Sequence, residues 1–161
     1  MIKILKTMRL DLSDLNVFRS VAGPGEIAIP GSFAFVDMEY RKLTNKDKLA
    51  YQMSWLGVES FGFSTLVEIG YATSDVLDKA VERLAVHFVR EYDAPSIAQA
   101  LPVAREELSY AASLCEHDVG TILAIERQDG ADGIVERIRP IDPSGLDMHQ
   151  GLKIWDIVVE E

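Results

Sequence analysis

The chain has 161 residues, of which 26 are acidic and 16 are basic, so its formal net charge is −10. Its length fits one domain spanning 1–161, and its 48% hydrophobic and 26% charged residues exclude wholesale disorder. The negative charge disfavours nucleic acid and anionic membranes as partners, because both bind local basic patches. The nearest basic cluster is interrupted by Asp47 and is typical of a solvated turn: Arg41, Lys42, Lys46 and Lys48.

The cysteine and hydropathy patterns predict the cellular compartment. With one cysteine, Cys115, no intramolecular disulfide can form, so nothing marks an oxidising environment. The N-terminus lacks the apolar region of a signal peptide, and no apolar run approaches the roughly 20 residues that span a bilayer. We therefore expect a soluble, cytoplasmic protein, for which a protein partner or self-association stays open.

The first half of the chain predicts a strand, a turn region and a helix. Apolar and polar residues alternate from Ile2 to Leu10, which indicates a half-buried strand. Gly23-Pro24-Gly25 predicts a turn, and Glu26–Val36 then favours two short strands or one bent edge strand. A helix is predicted from Thr44 to Trp55, ended by Gly57. Its cap would be Thr44 or Asn45, and its core face Leu49, Met53 and Leu56.

The second half predicts one strand, two helices and a hairpin. Phe63–Tyr71 is rich in β-branched and aromatic residues, as strands are. A helix follows over Ser74–Tyr92 with Ser74 as its N-cap, then another from about Ser96 to Cys115. Pro102 either kinks this last helix or begins a new one. The remaining predicted elements are the hairpin arms Thr121–Arg127 and Gly133–Ile141, a turn over Asp129–Gly133, a loop over Pro140–Gly151 and a strand over Leu152–Val159.

This order of elements predicts the fold class. Strands and helices do not alternate regularly, which argues against a parallel sheet with crossover helices. We expect an α+β fold, with an antiparallel or mixed sheet of five or six strands and about three helices packed on one face.

Cys115-Glu116-His117-Asp118 carries the chemical groups of a cysteine nucleophile. However, residues two apart on a helix point roughly 200° away from each other. Cys115 also continues the apolar stripe of the predicted helix, and a buried thiol has a raised pKa and is inert. The sequence therefore favours a structural Cys115, with His117 close to the last carbonyls of the helix.

Neither a metal nor a cofactor is indicated. The histidines His87, His117 and His149 lack the spacing of metal ligands. His87 has Arg83 at i−4 and Glu91 at i+4, which is typical of a charged helix surface, while a general base oriented by Glu91 is the functional alternative.

The segment Glu59–Thr65 combines polar and aromatic residues at a turn before a strand. Its candidate ligand-binding residues are Ser60, Phe61, Ser64 and Thr65, which could line a pocket. It matches neither a nucleophile elbow nor a phosphate-binding loop. A turn whose aromatic residues cap the core is therefore favoured.

Three short segments carry a resemblance to a known family. They are Glu59-Ser60-Phe61-Gly62-x-Ser64-Thr65, Leu114-Cys115-Glu116-His117-x-Val119 and Leu123-Ala124-Ile125-Glu126-Arg127. With them, the chain resembles an uncharacterised bacterial family, mainly proteobacterial, that is a domain of unknown function. The resemblance runs from the N-terminal strand to about Arg139 and implies no activity.

These observations leave two functional hypotheses. The first is a non-catalytic accessory or ligand-binding domain that self-associates, because Leu152–Val159 places Trp155, Ile157 and Val159 on one strand face. The second is a small hydrolase or transferase that uses Cys115, His117 and the Glu59–Thr65 loop, with Glu59 as a further catalytic candidate. This enzyme requires an accessible Cys115 with a lowered pKa. The sequence names no substrate for either.

Overall fold

The computed structural model describes residues 1–9, 18, 20–36 and 38–141. In these residues the protein is an α+β fold, as the sequence predicts. The predicted strand Leu152–Val159, residues 142–151 of the predicted loop and His149 lie outside the described residues, whereas Pro140 and Ile141 belong to the last described strand. The seven strands are β1 (Ile2–Met8), β2 (Ala28–Ile29), β3 (Trp55–Gly57), β4 (Phe63–Ser64), β5 (Leu66–Ala72), β6 (Ile122–Gly130) and β7 (Gly133–Ile141); the three α-helices are α1 (Asn45–Met53), α2 (Ser74–Glu91) and α3 (Ile97–Ser113).

The strands form two antiparallel sheets. The larger sheet has four strands in the order β1-β5-β6-β7, and the smaller has three in the order β2-β3-β4. Within the described residues, the predicted single sheet of five or six strands is therefore not confirmed. The strand is interrupted at Thr65, so the predicted strand Phe63–Tyr71 becomes β4 in one sheet and β5 in the other.

Helix α1 is shorter than predicted and buries a different face. Thr44 caps it, since its hydroxyl accepts a hydrogen bond from the Asp47 N–H at 3.2 Å. The helix ends at Met53 because Trp55–Gly57 pairs as β3 between β2 and β4. Of the predicted core face, Leu56 is buried but lies in β3, and Leu49 and Met53 are only half-buried. The buried residues of the helix are Ala50 and Tyr51.

Helices α2 and α3 confirm the predicted pair of long helices. Thr73 rather than Ser74 caps α2, by accepting a hydrogen bond from the Val76 N–H. Ser96 caps α3, and Pro102 lies inside that helix without splitting it. Proline lacks the N–H that would bond to the carbonyl four residues earlier, so one helical hydrogen bond of α3 is missing there.

The region after the first turn also differs from the prediction. The chain forms only the two-residue strand β2 and then a 3-10 helix over Ser32–Phe35, where a second short strand was expected. Gly31 precedes this helix with a φ of 71°, a left-handed conformation that glycine adopts without strain. The turn at Gly31 directs the chain away from the small sheet and places Ser32 at the start of the 3-10 helix.

The largest hydrophobic cluster joins the helices α2 and α3 to both sheets. Its fully buried members include Trp55, Val67, Leu84 and Ala104. A second cluster lies beside α1 and joins Phe18, Phe35, Ala50 and Tyr51. This second cluster forms the floor of the cavity described below.

Strands β6 and β7 form the predicted hairpin, with a turn of only two residues, Ala131 and Asp132. Gly130 pairs with Gly133, and this register places Arg127 directly opposite Glu136. Leu123, Ile125 and Arg127 alternate along β6 and are all buried. The Arg127 side chain therefore lies on a buried, otherwise apolar face of the sheet. The Glu136 carboxylate of the neighbouring strand lies opposite it.

Candidate functional site

Cys115 lies in the core immediately beyond α3. It is 8% exposed, and its Sγ lies 3.7 Å from the Ala111 carbonyl oxygen. Burial raises the pKa of the Cys115 thiol to about 11, against a smaller opposite effect of the Lys3 ammonium. These properties are the reverse of what a thiolate nucleophile requires.

The buried carboxylate of Glu26 holds the turn of the Glu59–Thr65 loop. Its oxygens accept hydrogen bonds from the Ser60 N–H at 2.9 Å, the Ser60 hydroxyl at 2.8 Å and the Gly23 N–H at 2.6 Å. The Ser60 hydroxyl also accepts from the Gly62 N–H. Ser64 is 2% exposed, and its hydroxyl donates to the carbonyls of Met8 and Leu66. The polar atoms of Ser60 and Ser64 are thus engaged within the protein.

Phe61 packs this loop against α2. Its ring stacks on His87 with centroids 3.7 Å apart and an interplanar angle of 3°. Phe61 has a φ of 57°, which is uncommon for a residue with a side chain. Burial lowers the pKa of His87, and Glu91 opposes this effect. Arg83 donates two hydrogen bonds to the Glu59 carbonyl, so the segment Glu59–Thr65 is fixed to the helix surface.

The two halves of the predicted enzyme site contact strand β1 at different places. Ser64 of the loop contacts the Met8 carbonyl at one end of β1. At the other end, Lys3 Nζ donates to the His117 carbonyl at 2.8 Å. Five residues of strand at roughly 3.3 Å each place the backbones of Lys3 and Met8 about 17 Å apart. Ser64 and His117 thus contact residues near opposite ends of β1, and Thr65 lies between β4 and β5.

A cavity of about 510 Å³ lies elsewhere, between the tip of the β6–β7 hairpin and the segment that leads into α1. We call it the aromatic cavity. Its apolar walls are Phe33, Phe35, Val36, Met38, Leu43 and Ile134. Its polar or backbone-lined positions are Ser32, Tyr40, Tyr51, Asp129, Gly130 and Gly133. Protein sites for small molecules commonly measure about 300–1,000 Å³ and combine apolar walls with a few polar groups.

Arg127 supports the floor of the aromatic cavity. Its guanidinium donates to the Ser32 hydroxyl at 2.6 Å, to the Tyr51 carbonyl at 3.0 Å and to the Pro30 carbonyl. It also lies 5.2 Å from the centroid of the Phe35 ring, within the distance of a cation–π contact. Burial lowers the pKa of Arg127 to about 10, although the Glu136 carboxylate opposes the shift. Arg127 thus joins β6 to two other chain segments beneath the cavity, residues 30–35 and the end of α1.

Glu136 completes the support from the opposite strand. Its carboxylate lies 4.0 Å from Arg127 Nε and accepts hydrogen bonds from the hydroxyls of Ser32 and Tyr110. Burial, followed by the charge of Glu136 and its hydrogen bond, raises the pKa of Tyr110 to about 12. The Ser32 hydroxyl accepts from Arg127 and donates to Glu136, so its proton is already held by a carboxylate.

Two residues that line the aromatic cavity, Tyr51 and Asp129, form a hydrogen bond with each other. The Tyr51 hydroxyl donates to Asp129 Oδ1 at 2.7 Å. Burial raises the pKa of Tyr51 to about 12, and the hydrogen bond and charge of Asp129 add to this effect. The Tyr51 ring makes edge-on contacts with Phe35 and Tyr40, at centroid distances of 5.6 and 5.8 Å. The carboxylate of Asp129 is therefore oriented beside a surface of three aromatic rings.

None of the site residues predicted from the sequence lines this cavity. The sequence contains one signal for the aromatic cavity. Arg127 continues the apolar alternation of Leu123 and Ile125, which predicts a buried cation that needs a partner. Asp129 gave no such signal, since an aspartate before a glycine is typical of a hairpin turn.

Two further properties concern only the described part of the chain. None of its helices has the combination of length and apolar character that crossing a membrane requires. None of its His, Cys, Asp and Glu side chains form a group of three or more that could hold a metal ion.

The fold and the site together define an α+β protein with a ligand-sized cavity beside a buried ion pair. The chain belongs to a family of unknown function (DUF6505), which it matches over residues 1–154. This match confirms the resemblance to an uncharacterised family, and it extends beyond Arg139, where the resemblance was expected to end. The occurrence of the family in proteobacteria stays a prediction. No curated protein and no solved structure matches the chain significantly.

Proposed function

We propose that this protein is a non-catalytic ligand-binding domain whose site is the aromatic cavity. The observation that carries the proposal is the cavity itself: about 510 Å³ with mainly apolar walls and a few convergent polar groups, Ser32, Tyr40, Tyr51 and Asp129. The cytoplasmic location remains a prediction from the sequence.

The cavity has firm support on its inner side, which favours binding without rearrangement. Phe35 is 4% exposed and Tyr51 is 6% exposed, so both rings are held by the second hydrophobic cluster. Arg127 fixes the chain at Pro30, Ser32 and Tyr51. A site whose walls are already ordered loses less conformational entropy when a ligand binds.

The catalytic alternative has less support. A thiol mechanism needs an accessible Cys115, whereas this side chain is buried and its pKa is raised. Ser64, in the proposed partner segment Glu59–Thr65, contacts Met8 near the end of β1, whereas His117 contacts Lys3 near its start. A ligand-binding role requires neither feature.

We predict that the neutral dye N-phenyl-1-naphthylamine binds the protein saturably at one site. Leu43→Trp, which fills part of the aromatic cavity, should weaken binding about tenfold, or roughly 1.4 kcal/mol. Fluorescence titration measures both affinities. Val103→Trp is the matched control, because Val103 is 49% exposed on α3 and does not line the cavity.

Circular dichroism should show that both tryptophan variants fold. The proposal is wrong if the dye shows no saturable binding. It is also wrong if Leu43→Trp binds the dye as tightly as Val103→Trp does.

We also propose that the protein self-associates through a sheet edge. Within the described residues β7 is an edge strand of the four-stranded sheet, so the backbone groups on its outer side can pair with another strand. The predicted strand Leu152–Val159, outside the described residues, would add to such an edge in a second copy.

Light scattering after gel filtration tests this proposal. We expect a dimer for the full chain and a monomer for a chain that ends after Gly151. If both chains are monomers, the protein does not self-associate; if both are dimers, the C-terminal segment is not the contact.

A further inference from the structure

The charge of the aromatic cavity indicates which ligands it would select. Among its lining residues that the structure describes, Asp129 is the charged one, and its side chain lies at the exposed tip of the hairpin. The whole chain carries a net charge of −10. Both features favour a positively charged ligand over a negatively charged one.

The buried cation beneath the cavity, Arg127, is engaged within the protein. Each nitrogen of the Arg127 guanidinium donates a hydrogen bond within the protein, to Ser32, to Tyr51 and to Pro30. Its charge is also opposed by Glu136 on the facing strand. Arg127 is only 4% exposed, is bound to acceptors of the protein itself, and is not among the residues that line the cavity. A carboxylate or phosphate ligand would instead meet Asp129, which repels it.

The aromatic rings suit a cation for a second reason. The face of an aromatic ring is electron-rich and attracts ammonium groups within about 6 Å of its centroid. Tyr40 already makes one such contact with a cation of the protein, since Lys48 Nζ lies 5.0 Å from the centroid of its ring. Tyr51, whose ring contacts Tyr40, also holds Asp129 by its hydroxyl. A carboxylate and aromatic rings thus converge at one end of an otherwise apolar cavity.

We propose that the aromatic cavity selects small molecules in which a protonated amine is joined to an apolar, aromatic-sized body. The amine would pair with Asp129 beside Tyr51 and Tyr40, and the body would pack against Phe35, Leu43 and Ile134. This inference rests on the proposed ligand-binding function and adds the chemical class of the ligand.

Three indole compounds of similar size and different charge test this inference. They are the cation tryptamine, the neutral alcohol tryptophol and the anion indole-3-acetate, each used to displace N-phenyl-1-naphthylamine. We expect tryptamine to bind about tenfold more tightly than tryptophol and indole-3-acetate to bind least, with the tryptamine preference decreasing as salt is added.

Asp129→Asn should remove the preference for tryptamine, so that tryptamine and tryptophol bind the variant with similar affinity. Asp132→Asn is the matched control, because it removes the same charge from the adjacent turn at a residue that does not line the cavity. It should leave the preference intact. An equal effect of both variants would show that only the net charge matters, which would overturn the assignment to Asp129.

The remaining outcomes separate this inference from the function on which it rests. If the dye binds but the three indoles compete equally, or indole-3-acetate competes best, the inference is wrong and the cavity remains a ligand site. If the dye binds and no indole displaces it, the proposed ligand class is also wrong. If the dye itself does not bind, the ligand-binding function fails as well.

Discussion

Replacing Arg127 with methionine is expected to destabilise the fold by about 3–5 kcal/mol, the usual cost of removing one partner of a buried ion pair. The substitution would leave the Glu136 carboxylate beside Ser32 without its opposing charge. It would also remove the donors to the carbonyls of Pro30 and Tyr51. Equilibrium unfolding in urea measures the change in free energy.

Arg137→Met is the matched control, because Arg137 lies on the exposed face of the same hairpin and should change stability by less than about 0.5 kcal/mol. The double variant Arg127→Met/Glu136→Leu should recover part of the loss, since an apolar pair can replace a buried ion pair. If Arg127→Met is as stable as Arg137→Met, the guanidinium does not hold the cavity floor together.

Glu26→Ala is expected to cost about 2–4 kcal/mol, because hydrogen bonds to a charged group contribute roughly 1.5–3 kcal/mol each. The change would leave the N–H groups of Gly23 and Ser60 without the acceptor they have in the native protein. Glu26→Gln keeps the size and one acceptor oxygen, so it should show an intermediate loss. Thermal and urea unfolding of the three proteins measure this order.

Glu68→Ala provides the comparison for Glu26, because Glu68 is an exposed glutamate of β5. Its removal should change stability by less than about 0.5 kcal/mol. Equal stabilities of the Glu26 and Glu68 alanine variants would contradict the view that the buried carboxylate anchors the Glu59–Thr65 turn.

The elements that the sequence predicts well are those set by local signals. Helix α2 has a long apolar stripe and a polar residue at its start, and the β6–β7 hairpin has alternation on both sides of a glycine-containing turn. The predicted helix Thr44–Trp55 is longer than the observed α1, because Trp55–Gly57 is apolar and directly follows a helical pattern. Only its pairing with β2 and β4, which are distant in sequence, makes this segment a strand.

The aromatic cavity could not be predicted for a similar reason. Its residues come from two segments, around 32–51 and 129–134, that share no motif and meet only when α1 packs beside β6. The Cys115 cluster suggests a catalytic site because its chemical groups are adjacent in sequence. In the structure Cys115 is buried in the core and His117 is exposed, which agrees with the structural interpretation that the apolar stripe favoured.

The two-residue turn between β6 and β7 fixes the register that pairs Arg127 with Glu136 beneath the cavity. Side chains on a strand alternate between faces, so a slip of one residue in the pairing would exchange the inner and outer faces of β7. Glu136 would then leave Arg127 for solvent, and Val135 would face the guanidinium in its place. The length of the Ala131–Asp132 turn therefore limits how this protein can diverge in sequence: substitutions on its tip are tolerated, whereas insertions that shift the pairing are not.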